Sequence, residues 1–201
     1  MKKLFCIILL AVLTLNLSAC GTKTEENTDK YIIQTTYYQI YEQDSHTYKY
    51  TIKSGDDILA EDTKTGTAPR IDDIDDGIVR LHLGFGTNAF TVKYFNVYDE
   101  TISEEFYPYS IYADHVDTAK KQYYIAYFTL GEEPALHIKG FFDSSEFSNE
   151  LYLDLDMPTC EKLIFLNETQ IYIEYTNSFG DNIKTIIDFK NSSGRKIKYA
   201  W

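Results

Sequence analysis

The chain has 201 residues, with 31 acidic against 19 basic side chains, a formal net charge of −12, 44% hydrophobic residues and 15% aromatics. Without clustered Lys and Arg so acidic a chain is excluded from nucleic-acid binding, which depends on grouped cations at phosphates. The length suffices for one domain with a core of ordinary size, or two small ones at most, and one is expected.

Met1-Lys2-Lys3 forms a positive start, and Leu4 to Leu15 follows as an almost unbroken apolar run. Such a run fits the apolar region of a secretory signal and falls short of the roughly 20 residues a spanning helix needs. It ends in Leu17-Ser18-Ala19-Cys20, which resembles the lipobox of bacterial lipoproteins. The resemblance implies cleavage after Ala19, a thioether from Cys20 to diacylglycerol, and a mature chain anchored by its fatty-acyl groups to the outer face of the cell membrane. Each buried methylene contributes about 0.8 kcal/mol, so two or more acyl chains hold stably where one is reversible. Loss of Lys2 and Lys3 with residues 1–19 leaves 17 basic against 31 acidic side chains, a charge of −14. Anionic head groups and wall polymers then repel the domain, leaving the acyl chains as the attachment. Lysine outnumbers arginine 16 to 3, and with abundant Ile, Tyr, Phe and Asn this points to an AT-rich genome and a Gram-positive source.

Residues 20–30 carry the lipidated cysteine and then GTKTEENTDK, which has no apolar residue. It buries nothing to offset its ordering entropy and reads as a flexible tether. Residues 31–201 read as a single all-β domain. Short runs of Tyr, Ile, Phe, Val and Thr are broken by Gly, Asp, Asn or Pro, the signature of strands and turns. In Thr47–Lys53, Tyr48, Tyr50 and Ile52 share one face. By the same alternation Val79, Leu81 and Leu83 point inward against Arg80 and His82. Leu151, Leu153 and Leu155 do so against Tyr152 and Asp154, and Ile171, Ile173 and Tyr175 form another inward face. Tyr123–Leu130 has no polar face and is expected to be a central strand covered on both sides. Asp114–Gln122 is the one short helical expectation. Turns are expected at Ser54–Asp57, Asp75–Gly77, Gly131–Pro134, Asn167–Glu168 and Asn177–Asn182.

Ile78–Phe106, Tyr123–Leu151 and Leu163–Phe189 share a faint repeat: a strand, a turn, an aromatic strand, and a polar turn into a third strand. The spacing of roughly 35–48 residues lies in the range of propeller blades, and the chain resembles a run of three or four blade-like units. Antiparallel meanders of this kind suit a partial or small propeller, an open stack or a β-sandwich equally well.

Asp72-Asp73-Ile74-Asp75-Asp76-Gly77 is the densest acidic run. Its spacing fails as an EF-hand, since Ile74 and Leu83 fall on ligand positions, but Asp72, Asp73, Asp75 and Asp76 are candidate ligands for Ca²⁺ in an irregular loop. The plainer reading is a solvated hairpin turn whose Gly77 takes positive φ. His46, His82, His115 and His137 show no metal-ligand spacing. Gly84-Phe85-Gly86 lacks the third glycine of a dinucleotide loop. There is no G-x-S-x-G nucleophile elbow, and the adjacent acids Glu104-Glu105 and Glu132-Glu133 would point to opposite faces of a strand. Cys6 leaves with the signal and Cys20 is lipidated, so Cys160 has no disulfide partner and is expected to serve in packing. With 18 Tyr and 12 Phe, aromatic strand faces are the expected contact surface for a protein or glycan ligand. The expectation is a membrane-anchored, non-catalytic binding domain. An extracytoplasmic glycan hydrolase and a calcium-stabilised structural module are the alternatives.

Overall fold

In the computed structural model, which describes residues 30–86, 89–129, 135–142, 148–152, 160–177 and 179–191, the Tyr/Ile/Phe-rich runs form antiparallel strands, with no helix among the described residues. The first sheet holds β1 (Lys30–Gln34), β2 (Tyr38–Asp44), β3 (Thr47–Ser54) and β4 (Asp57–Thr65). The second holds β5 (Arg70–Asp75), β6 (Ile78–Gly84), β7 (Phe90–Asn96) and β8 (Thr101–Ile102). The third holds β9 (Tyr112–Asp117), β10 (Gln122–Thr129), β11 (Ala135–Gly140) and β12 (Ser148–Tyr152), and the fourth β13 (Cys160–Phe165), β14 (Gln170–Thr176) and β15 (Asn182–Asp188). Within every sheet the strands lie in sequence order, each a plain meander. The chain divides into two units, Met1–Lys30 and Tyr31–Trp201, and the sheets build the second, β1 starting one residue before it. The signal segment, Cys20 and the tether up to Asp29 lie outside the described residues, as do the turn at Gly131–Pro134 and Leu153, Asp154 and Leu155.

Side-chain alternation sets how the sheets stack. On β2 and β3, Tyr38, Ile40, Tyr50 and Ile52 turn one way and meet Ile71, Val79, Leu81 and Phe95 of the second sheet. The opposite face of the second sheet carries Ile78, Val92 and Tyr94, which pack with Ile125, Tyr127 and Phe141 of the third-sheet region. The remaining face of the third sheet, with Ala126, Phe128, Leu136 and Ile138, packs on Leu163, Ile171, Ile173 and Ile187 of the fourth. β10 is thus covered on both sides, as its continuous apolar run requires. Four meander sheets stack in chain order with three cores between them, and β9 lies beside both β5 and β13. Among the described residues no core joins the fourth sheet to the first, so these residues form an open stack of blade-like units.

The expected helix over Asp114–Gln122 is replaced by the β9–β10 hairpin. Residues 112–117 pair with 122–127, and the Ala-Lys-Lys stretch that reads as helical is a turn. There Lys120 N–H donates to Asp117 Oδ1 (3.0 Å), Lys121 N–H donates to the Thr118 carbonyl (3.2 Å), and Lys121 has φ +53°. Strand pairing overrides a short run of helix formers that alone is too brief to be stable.

Gly77 closes the β5–β6 hairpin at φ +69°, and a Cβ there would lie 2.5 Å from the Tyr98 ring. Gly77→Ala is therefore expected to destabilise the fold by about 1–3 kcal/mol. In a Tyr98→Ala background only the backbone share, about 1–2 kcal/mol, should remain. Urea unfolding of the two single variants and the double variant measures the difference.

Candidate functional site

The interface between the second and third sheets holds a group of charged and polar side chains beside its apolar core. Strand register places Arg70 opposite His82 and Asp72 opposite Arg80. It also puts Arg80, His82 and Gly84 beside Tyr94, Val92 and Phe90. Tyr112 and Asp114 on β9 share the face of Tyr127 and Ile125, which looks back at the second sheet. Arg80 and His82, expected on a solvent face, are therefore half-buried between two sheets. Alternation along β6 is real, but both of its faces are covered.

Arg80 is the hub. Its Nη2 donates to Asp72 Oδ2 at 2.8 Å and its Nη1 to Asp114 Oδ2 at 2.5 Å. Tyr94 Oη donates to the same Asp114 oxygen at 3.2 Å, and Arg70 Nε donates to Asp72 Oδ1 at 3.1 Å. The Arg80 side chain is 14% exposed, so these ion pairs operate with limited screening. Burial acts to lower the Arg80 guanidinium, but Asp114 and Asp72 outweigh it and hold it above its ordinary value. Burial likewise acts to raise Asp72, and hydrogen bonds from Arg80 and Arg70 bring it below the usual carboxylate range. Burial, followed by Asp114, raises the Tyr94 hydroxyl well above its ordinary value and keeps it a donor.

Further along the same strands the interface opens into a cleft of about 380 Å³ lined by His82, Gly84, Gly86, Phe90, Ser110 and Tyr112 among others. Three rings form its tray. His82 sits 4.5 Å from Phe90, and stacks at 6.3 Å and 21° on Tyr112, whose ring also carries the Arg80 guanidinium at 5.7 Å. At Ser110 the chain crosses from one sheet to the next through a γ-turn: Ile111 N–H donates to the Tyr109 carbonyl at 2.8 Å and Ser110 takes φ +60°. A non-glycine residue in that conformation stores strain of about 1–3 kcal/mol, a kind of strain that clusters at ligand clamps and active sites. Phe85, 57% exposed, adjoins the lining glycines with Lys64 Nζ 3.8 Å over its ring.

The four aspartates expected around one turn are not brought together. Asp72 and Asp73 lie on β5 itself, on opposite faces of the strand. Asp72 is held by the two arginines, while burial and then Asp72 raise the Asp73 carboxyl. Asp75 accepts from the Thr118 hydroxyl and the Asp76 N–H, and Asp76 accepts from Tyr98 Oη at 2.7 Å. Among the described residues no three His, Cys, Asp or Glu side chains are grouped to hold a metal ion. His115 packs with Tyr124 and Phe165, and His137 Nε2 hydrogen-bonds Thr129 Oγ1 at 2.7 Å. Glu104 pairs with Lys139 and Glu105 accepts from Tyr107, while Glu132-Glu133 lies outside the described residues. Cys160 is a free, half-buried thiol packed at the edge of the third core, pushed up to about 12 by burial. The hub and the tray were missed in sequence because Arg80, His82, Phe90 and Tyr112 come from three strands. One signal was present: two of only three arginines in an acid-rich chain lie ten residues apart. The chain matches no protein-family model, no curated protein and no solved structure.

Two outcomes follow from this geometry. Asp114→Ala removes one of the two carboxylates on Arg80, leaving Asp72, and strips the buried Tyr94 hydroxyl of its acceptor, and is expected to cost about 1–3 kcal/mol in denaturant unfolding. Burial, then Arg70 and Arg80, hold the His82 imidazole below its ordinary value, so the folded state favours the neutral ring. Its contribution is complete above the unfolded value near pH 6.5 and is lost as pH falls through 6.5 toward the lower folded value. Melting temperature measured from pH 7.5 to 5.5 should fall more steeply in the wild type than in His82→Gln.

Proposed function

We propose that this protein is a lipid-anchored, extracytoplasmic binding module of the outer membrane face, non-catalytic, whose ligand seat is the cleft between the second and third sheets. The ring tray of His82, Phe90 and Tyr112 carries this reading. Small-molecule and glycan seats are typically concave, ring-lined and fixed by a few polar groups. His82, Ser110 and Tyr112 are the residues with polar side chains that line it. The strained Ser110 turn supports the same location, since strain persists only where the surroundings hold it in place. The Leu17–Cys20 lipobox supplies the anchor, and the spacer after it spans at most about 3.3–3.6 Å per residue, which keeps the domain near the membrane. The reading accounts for an aromatic-rich domain that keeps the Arg80 ion group beside a ring-lined cleft.

Two measurements test it. Cys20→Ser should abolish acyl modification, read by fatty-acid labelling and mass spectrometry, and an unmodified Cys20 in membrane-extracted wild type would refute the anchor. A thermal-shift screen of full-length protein in detergent against glycan fragments and wall polymers tests the seat. A cleft ligand at 100 times its Kd stabilises by about 2.7 kcal/mol, a shift of several degrees. That shift should vanish in Phe90→Leu, which keeps apolar bulk and removes the ring. A shift that persists in this variant would place the ligand elsewhere.

A further inference from the structure

The cleft differs from the rest of this surface in charge. The chain carries 31 acidic side chains, yet among the described residues no Asp or Glu lines the cleft. Asp72 and Asp114, on the strands beside it, are committed, Asp72 to both arginines and Asp114 to Arg80 and the Tyr94 hydroxyl. Arg70 differs from Arg80. Only its Nε is bonded, to Asp72, which orients the side chain, and its terminal nitrogens have no protein partner among the described residues. The side chain is 67% exposed and stands opposite His82 across the β5–β6 pair, on the face that forms the tray. Its charge reaches both tray residues, acting to lower the His82 imidazole and the Tyr112 hydroxyl. A planar guanidinium with free Nη donors, fixed through Nε, is suited to bidentate capture of a carboxylate or phosphate.

From these features we infer that the cleft takes a sugar ring bearing an acidic group, its C–H face stacked on Phe90 and Tyr112 and its anion on the Nη edge of Arg70. Ser110, His82 and the backbone at Gly84 and Gly86 face the ring hydroxyls. The volume of about 380 Å³ lies within the range of small-ligand seats. The inference rests on the ligand-seat reading above and names its chemistry. It also reverses the repulsion expected of so acidic a domain, because the cleft is the place where a negative ligand meets unspent positive charge.

The test is isothermal titration of full-length protein in detergent with trigalacturonate, glucose 6-phosphate and the neutral trisaccharide maltotriose, using wild type, Arg70→Gln and Phe90→Leu. Circular dichroism checks that each variant is folded. The expected result is acidic-sugar binding at least tenfold tighter than maltotriose, reduced about tenfold in Arg70→Gln, falling with added salt and lost in Phe90→Leu. Preference for trigalacturonate assigns the anion to a carboxylate, and preference for glucose 6-phosphate to a phosphate; either supports the inference. Equal binding of maltotriose and trigalacturonate, abolished by Phe90→Leu and indifferent to Arg70→Gln, overturns the inference while the ligand seat stands. Absence of binding by all three sugars, or binding untouched by Phe90→Leu, overturns both.

Discussion

The second and third sheets are apolar on both faces, and a two-faced sheet has no stable place at a protein surface. β10 places Ile125 and Tyr127 in one core and Ala126 and Phe128 in another, and β6 divides Ile78 from Val79 and Leu81 in the same way. Each such sheet must be covered twice, so the first and fourth sheets are drawn in as outer layers and the order of the stack follows from the order of the chain. The outer sheets need only one apolar face. Their other faces mix charge with apolar groups, as in the row Ile164, Tyr172 and Ile186 beside Lys162, Glu174 and Lys184.

Within that frame the Arg80 hub sits in the interface that bears the cleft of His82, Phe90 and Tyr112. A buried ion group of this kind is seldom a net source of stability against well-packed apolar residues, because desolvation of the charges offsets much of their attraction. Its physical effect is directional. Arg80 reaches Asp72 on a strand of its own sheet and Asp114 on the sheet opposite, fixing β9 against β6 in one register, whereas methyl groups alone permit sliding. Tyr112, two residues from Asp114, is held in stacking range of His82 as a result.

Much of the fold was legible in sequence, because period-2 alternation and turn residues are local signals. The alternation in Thr47–Lys53 and in Gln170–Thr176 appears in the structure with Tyr50, Ile52, Ile171, Ile173 and Tyr175 inward. The repeat was legible but its frame slipped: Ile78 and Tyr123 begin in second strands of their sheets, while Leu163 lies in a first strand. The missing first strand of the third sheet, β9, is the segment whose Ala-Lys-Lys turn imitates a helix. The site was not legible, since its members are set by sheet-to-sheet register. Alternation states that Arg80 and Val79 face opposite ways but is silent on whether water or another sheet lies beyond each. The acidic run at Asp72–Asp76 is laid out in space for a related reason. Proximity in sequence became dispersal in space once two of its members took opposite faces of β5.

Meanders joined end to end, whose cores among the described residues lie only between sheets adjacent in the chain, have the energetics of a linear array. Removal of an end sheet uncovers one core and leaves the other two intact, while opening a middle sheet uncovers two at once. Protection of backbone amides against solvent exchange should therefore grade inward from both ends. The most slowly exchanging layer then coincides with the pair of sheets that frame the cleft, so its geometry would persist through fluctuations that loosen the fourth sheet.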